Sequence, residues 1–233
     1  EQAKLVAADG ATQHTVGRAV ALAGDTAVVT APGAGDGVDF GVAYLYTRQG
    51  ATWTESTRLA PPDGVGSAAR GQSAAMDADT LVIGGESFLS GVVDVYERTG
   101  TAWSFAERLV GTDPAVEDFF GIAVAVDADT LVVGAPWFPT GGVERLGAAF
   151  VYRRGADGWT PEARLDAPDG EVGLLLARSV AVRGDRILLG ASSGPLFAPQ
   201  GESPVAPEGA ASAPRAYAYV RNGTSWSAGQ RID

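Results

Sequence analysis

A tyrosine, a tryptophan and an aliphatic residue recur along this chain at fixed spacing, and that recurrence limits the fold more than any other feature. Seven residues separate Tyr46 from Trp53, Tyr96 from Trp103, Tyr152 from Trp159 and Tyr219 from Trp226. Six residues further on lie Leu59, Leu109, Leu165 and Ile232, each preceded by an arginine (Arg58, Arg108, Arg164, Arg231). Upstream in each copy a short break, Gly24-Asp25, Ala78-Asp79, Ala128-Asp129 or Gly184-Asp185, parts two short apolar runs. Spacing that holds inside units and drifts between them marks a repeated supersecondary unit.

The third copy is the clearest. Ile122 to Val126 and Leu131 to Val133 flank the polar break, Gly134-Ala135-Pro136 ends the second run, and further strands are expected at Ala148 to Tyr152 and Trp159 to Leu165. Short runs rich in Val and Ile around a tight polar break read as a hairpin of buried strands. In the first copy the four strands are expected at Arg18 to Leu22, Thr26 to Thr30, Val42 to Thr47 and Trp53 to Leu59. No segment keeps the apolar spacing of a helix. Four strands per unit of about 50 residues fit a blade, so the expected fold is all-β, a β-propeller of four-stranded blades. The units run over about 12–60, 66–109, 116–165 and 172–232. The tryptophans are expected to fill space between blades, and small residues such as Ala21, Ala74 and Ala123 to line the centre.

The unit resembles the FG-GAP repeat of integrin α-subunit propellers and of bacterial surface and secreted proteins. Phe120-Gly121 and Gly134-Ala135-Pro136 match the naming motifs outright; Val16-Gly17, Arg70-Gly71 and Leu176-Ala177 are worn forms of the first. The resemblance implies a propeller outside the cell or on its surface, acting as a non-catalytic binding module. Integrin-type blades often hold calcium between their first two strands. The breaks here carry at most two carboxylates each, too few for the six to eight oxygens calcium takes, so the calcium loops are not carried over and no cofactor is expected. The loop Gly33 to Asp39 leaves Asp36 and Asp39 as the remaining candidates for a cation.

A net charge of −11 disfavours nucleic acid and anionic membrane surfaces, and no apolar run approaches the roughly 18 residues of a membrane span. The chain has no cysteine, and His14 is its one histidine. A Ser-His-Asp set could be built around that residue alone, and no Gly-x-Ser-x-Gly elbow occurs. Hydrolase or lyase chemistry would need carboxylates converging at the channel mouth. Arg183-Gly184-Asp185 falls on the recurring break and reads as a turn.

Loop aromatics are the candidate ligand-binding residues. Trp137 and Phe138 follow directly on Gly134-Ala135-Pro136, Phe88 and Phe197 lie in corresponding loops, and Phe40 ends that loop in the first copy. Exposed aromatics there suit stacking on sugars, as in a lectin-like propeller, or anchoring a protein partner. Pro199 to Pro214 reads as an insertion on the same face. Glu1 to Leu5 reads as the end of an extra outer strand, which the complete fourth unit leaves without a place. A homo-oligomer, or further repeats of the same chain, is therefore expected.

Overall fold

The computed structural model describes residues 3–11, 14–34, 41–61, 68–87, 91–111, 118–142, 146–170, 173–192 and 214–232. All regular structure among them is strand. Sheet one contains β1 (Val20–Ala23), β2 (Thr26–Ala31), β3 (Val42–Gln49) and β4 (Thr52–Leu59). Sheet two contains β5 (Ala68–Asp77), β6 (Thr80–Ser87), β7 (Val92–Thr99) and β8 (Ala102–Val110). Sheet three contains β9 (Ala123–Asp127), β10 (Thr130–Ala135), β11 (Ala148–Gly155) and β12 (Gly158–Leu165). Sheet four contains β13 (Leu176–Arg183), β14 (Arg186–Ala191), β15 (Arg215–Asn222), and an outer strand split into β16 (Ser225–Trp226) and β17 (Gln230–Ile232). Neighbours within each sheet are sequential and antiparallel.

The recurring break is a two-residue turn: Ala23 pairs with Thr26, and Asp127 with Thr130. Such turns need a positive φ. Gly24 supplies 57° without strain, and Ala128 is held at 54°. The second strands of the first three sheets are apolar on both faces because both faces are covered. Val28, Val82 and Val132 face the following sheet, while Ile83, Val133 and Leu189 face the preceding one. Three apolar layers result. Val28 and Leu45 meet Leu81 and Tyr96; Val82 and Val95 meet Leu131 and Tyr152; Val132 and Val151 meet Ile187 and Tyr219. Trp103, Trp159 and Trp226 close these layers, as their place in the repeat predicts. The repeated tyrosine also holds the chain between units. Tyr96 Oη donates to the Ala60 carbonyl at 3.4 Å and Tyr219 Oη to the Asp166 carbonyl at 3.0 Å.

Two expectations change. Ala3–Leu5 form no strand; Leu5 and Ala7 instead pack on the Tyr44 and Tyr46 face of sheet one. A strand needs a ladder partner, and none of the described residues supplies one there. The fourth strand of sheet four is interrupted between Trp226 and Gln230, where Gly229 lies directly over the Tyr219 ring.

The two name-giving glycine motifs meet across neighbouring sheets. A Cβ on Gly84 would run into the carbonyl of Gly121, and one on Gly134 into the carbonyl of Ala177. In sheet one Thr30 stands at that place, and its Oγ1 donates to the Gly71 carbonyl at 2.7 Å. Gly121 itself has φ 89°, outside the range of other residues. We expect Gly134→Ala to lower stability by about 1–3 kcal/mol, because a backbone carbonyl has to move. Gly190→Ala should cost less, since it meets only the Ser179 hydroxyl, which can rotate. Thermal or urea melts of the two variants check the order.

Candidate functional site

The polar side chains fall into two layers, one at the hairpin turns and one near the connections between second and third strands. At the turns, Asp77 Oδ2 accepts from the Ala128 amide and Asp127 Oδ2 from the Gly184 amide, each at 2.6 Å. These carboxylates cap the next sheet's turn. Arg48 and Arg98 pair with Asp25 and Asp79 of their own turns at 2.6 and 3.0 Å. Arg154 and Arg221, two residues after the repeated tyrosine like Arg48 and Arg98, instead reach the preceding sheet. Arg154 donates to Thr80 and Glu97, and Arg221 to Thr130 and Glu162. A cleft of about 550 Å³ opens among the turns, lined by Leu22, Asp25, Asp77, Asp127 and Arg183. Arg183-Gly184-Asp185 is a turn, as its place in the repeat implies: Gly184 is bonded to Asp127, and Asp185 lies 3.9 Å from Arg221. Among the described residues no three His, Asp or Glu cluster as metal ligands would.

At the other layer one structural place carries three chemistries. In sheet three the Phe120 ring meets Phe150 at 5.8 Å, edge to face. In sheet two the same two places hold Arg70 and Asp94, both buried and 2.9 Å apart, with Arg108 at 2.6 Å from the same carboxylate. In sheets one and four the place of Phe150 is taken by Tyr44 and Tyr217. Their hydroxyls donate to Asp9 and Asp169 at 2.6 and 2.7 Å, and Arg58 and Arg231 stand beside those carboxylates. The hydrogen bond from Tyr44 holds Asp9 below the usual carboxylate range, and that from Tyr217 does the same for Asp169. Burial, with the bond to Asp9, pushes Tyr44 up to about 12.

The aromatic pair after Gly134-Ala135-Pro136 divides. Phe138 turns inward, 5.2 Å from Phe150 and under the Arg164 guanidinium at 5.6 Å, and packs on the layer between sheets two and three. Trp137 stays partly in solvent. Its ring stands edge-on to Phe119 at 4.5 Å and its amide donates to the Asp118 carbonyl at 3.2 Å. Thr140 and Arg164 both bond Asp166 nearby, at 3.3 and 3.0 Å. Phe119 has φ 56°, a left-handed turn that brings its ring against Trp137. Phe40, Phe88, Phe197, Asp36, Asp39 and most of Pro199 to Pro214 lie outside the described residues. His14 Nδ1 accepts from the Ala11 amide at 3.2 Å, closing a loop. The arginines two residues after each tyrosine were missed by the sequence reading, although their spacing is as regular as that of the tryptophans.

Comparison with known proteins agrees with this reading of the repeat. The FG-GAP repeat family matches residues 1–46 and 103–152, stretches that include parts of the first, second and third repeat units. No curated protein matches it in sequence. Among solved structures, an exo-beta-1,3-galactanase from Phanerochaete chrysosporium, crystallised with beta-1,3-galactotriose, superposes with a TM-score of 0.49 at 12% identity. The superposition covers 96% of this chain and 51% of that one, so the chain spans about half the galactanase's length.

Two outcomes follow from the second layer. Asp94→Ala removes the buried carboxylate that Arg70 and Arg108 share and should cost about 3–5 kcal/mol. The double variant Arg70→Phe, Asp94→Phe copies sheet three and should recover most of that loss in urea melts. The second outcome concerns pH. Asp9 and Asp169 lose protons more readily folded than unfolded, so their contribution is present above about pH 4 and fades as pH falls through their folded values. Tyr44 acts in the opposite sense: its contribution is full below about pH 10 and is lost as pH rises through its folded value. Tyr44→Phe with Tyr217→Phe should therefore flatten the acid limb of a Tm-against-pH curve.

Proposed function

We propose that this chain is a non-catalytic binding module whose four sheets are the blades of a propeller. It works outside the cell or on its surface and presents the connections between second and third strands to a protein or glycan. The observation that supports the ligand face is Trp137. It is partly exposed and fixed by Phe119 and by the Asp118 carbonyl, and its neighbour Phe138 lies under Arg164, which with Thr140 bonds Asp166. A held aromatic loses little freedom when it stacks on a ligand. A carboxylate and a guanidinium close by can bond sugar hydroxyls, which favours a glycan as the second, narrower reading.

The repeated carboxylates support the non-catalytic part. Asp77 and Asp127 are engaged by backbone amides, and Asp9 and Asp169 by tyrosine hydroxyls. Each has a structural task that recurs through the repeat. We expect binding on a glycan array, or to a defined protein ligand, to fall at least tenfold in Trp137→Ala with Tm unchanged. Binding unaltered by that change would remove this face from the proposal. Turnover of any glycoside that His14→Ala or Asp166→Asn abolished without loss of fold would overturn the non-catalytic reading.

A further inference from the structure

Asn222 is the one asparagine in the chain, and Gly223 follows it. The pair stands where β15 turns into β16: Asn222 pairs with Ser225, and Gly223 and Thr224 make the two-residue turn. Asn222, Gly223 and Thr224 are all exposed. Gly223 has φ 66°, and the space where a side chain would stand is open. A glycine here leaves the backbone nitrogen unshielded and lets the chain turn freely about it. The same turn recurs in the repeat, at Gln49-Gly50 in sheet one and Thr99-Gly100 in sheet two. Gly50 and Gly100 have φ 62° and 64°, so the three turns share a backbone and differ in the side chain before the glycine.

The strand that leaves this turn is short. β4, β8 and β12 run eight, nine and eight residues. β16 runs two, paired to β15 through Ser225 with Asn222 and Trp226 with Arg221. So brief a ladder opens locally at little cost. Beside it lies the junction with sheet three. Arg221 Nη2 donates to Thr130 Oγ1 and to Glu162 Oε2, each at 2.9 Å. Its guanidinium lies over the Trp226 ring at 4.7 Å, and Trp226 packs on the layer between sheets three and four.

We propose that Asn222-Gly223 is a self-modification site, at which the chain converts its own asparagine to aspartate and isoaspartate with water as the co-reactant. The Gly223 nitrogen, once its proton has passed to a solvent base, attacks Asn222 Cγ. The N–Cγ bond forms, the Cγ–Nδ2 bond breaks, and the side-chain nitrogen leaves as ammonia after taking a proton from solvent. Water then opens the cyclic imide. Cleavage between the Gly223 nitrogen and Cγ leaves aspartate; cleavage between that nitrogen and the main-chain carbonyl carbon leaves isoaspartate, whose backbone runs through Cβ and Cγ. Gln49, in the matching turn, has one more methylene and must close a larger ring, and Thr99 carries no amide. Isoaspartate lengthens the backbone by a methylene at the Asn222–Ser225 pair, next to Arg221 and Trp226, and so loosens the hold of sheet four on sheet three.

Ageing the intact chain in mildly alkaline buffer, then mapping its peptic peptides by mass, tests this. Conversion at Asn222 should outrun that at Gln49 by about tenfold or more, since the smaller ring closes with less lost freedom. Part of the product should accept a methyl group from an isoaspartate methyltransferase. The aged chain should melt at a lower temperature than the fresh one, while Asn222→Gln, aged alike, keeps its Tm. Asn222 still amidated after ageing, or converted no faster than Gln49, overturns the assignment. Conversion that leaves the aged chain melting with aged Asn222→Gln overturns the link to sheet three.

Discussion

Neighbouring sheets in this protein approach until backbone lies on backbone, and the remaining packing follows from that distance. Gly84 faces the Gly121 carbonyl and Gly134 that of Ala177. With no side chain between them, the sheets are close enough for a layer one residue deep. Val82 and Val132 on one side, and Leu131 and Leu189 on the other, fill it completely. Each such valine or leucine contributes about 1.5–3 kcal/mol when taken fully out of water. Widening the gap by one methyl group would loosen the contacts of the whole layer.

The same spacing explains why polar groups could enter the layer in pairs. Phe120 against Phe150 and Arg70 against Asp94 fill the same space between sheets. An ion pair there is tolerated because each charge meets its partner at hydrogen-bonding distance, and Arg108 adds a second cation to the carboxylate. Asp94 alone in that position would be a strongly penalised buried charge. The worn motif Arg70-Gly71 is thus a compensated exchange and not a decayed one.

The architecture was legible in the sequence where physics acts locally. The two-residue turns, the apolar second strands and the interlayer tryptophans all follow from short-range pattern. The candidate site was less legible. Trp137 and Phe138 are adjacent and chemically alike, yet one turns to the Phe150 layer and the other to Phe119. That division depends on Phe119 and Arg164, which sequence proximity does not reveal. The exchange of Phe150 for Asp94 was hidden for a related reason, since its explanation lies 24 residues away at Arg70. Ala3–Leu5 match an outer strand in sequence, but a strand exists only where another segment of backbone pairs with it.

One irregularity recurs with the repeat. Register slips between Leu45 and Tyr46, between Val95 and Tyr96, and between Val151 and Tyr152, leaving Ser56, Ala106 and Glu162 as extra residues on the outer strands. In sheet four the break between β16 and β17 interrupts the edge instead. A bulge bends an edge strand and spoils its alignment for pairing with another chain. Every outer rim is thereby made a poor template for cross-β stacking, and Pro161 adds a missing donor to one of them. In a chain whose described regular structure is all strand, these edges are thus bent out of the geometry that fibrils require.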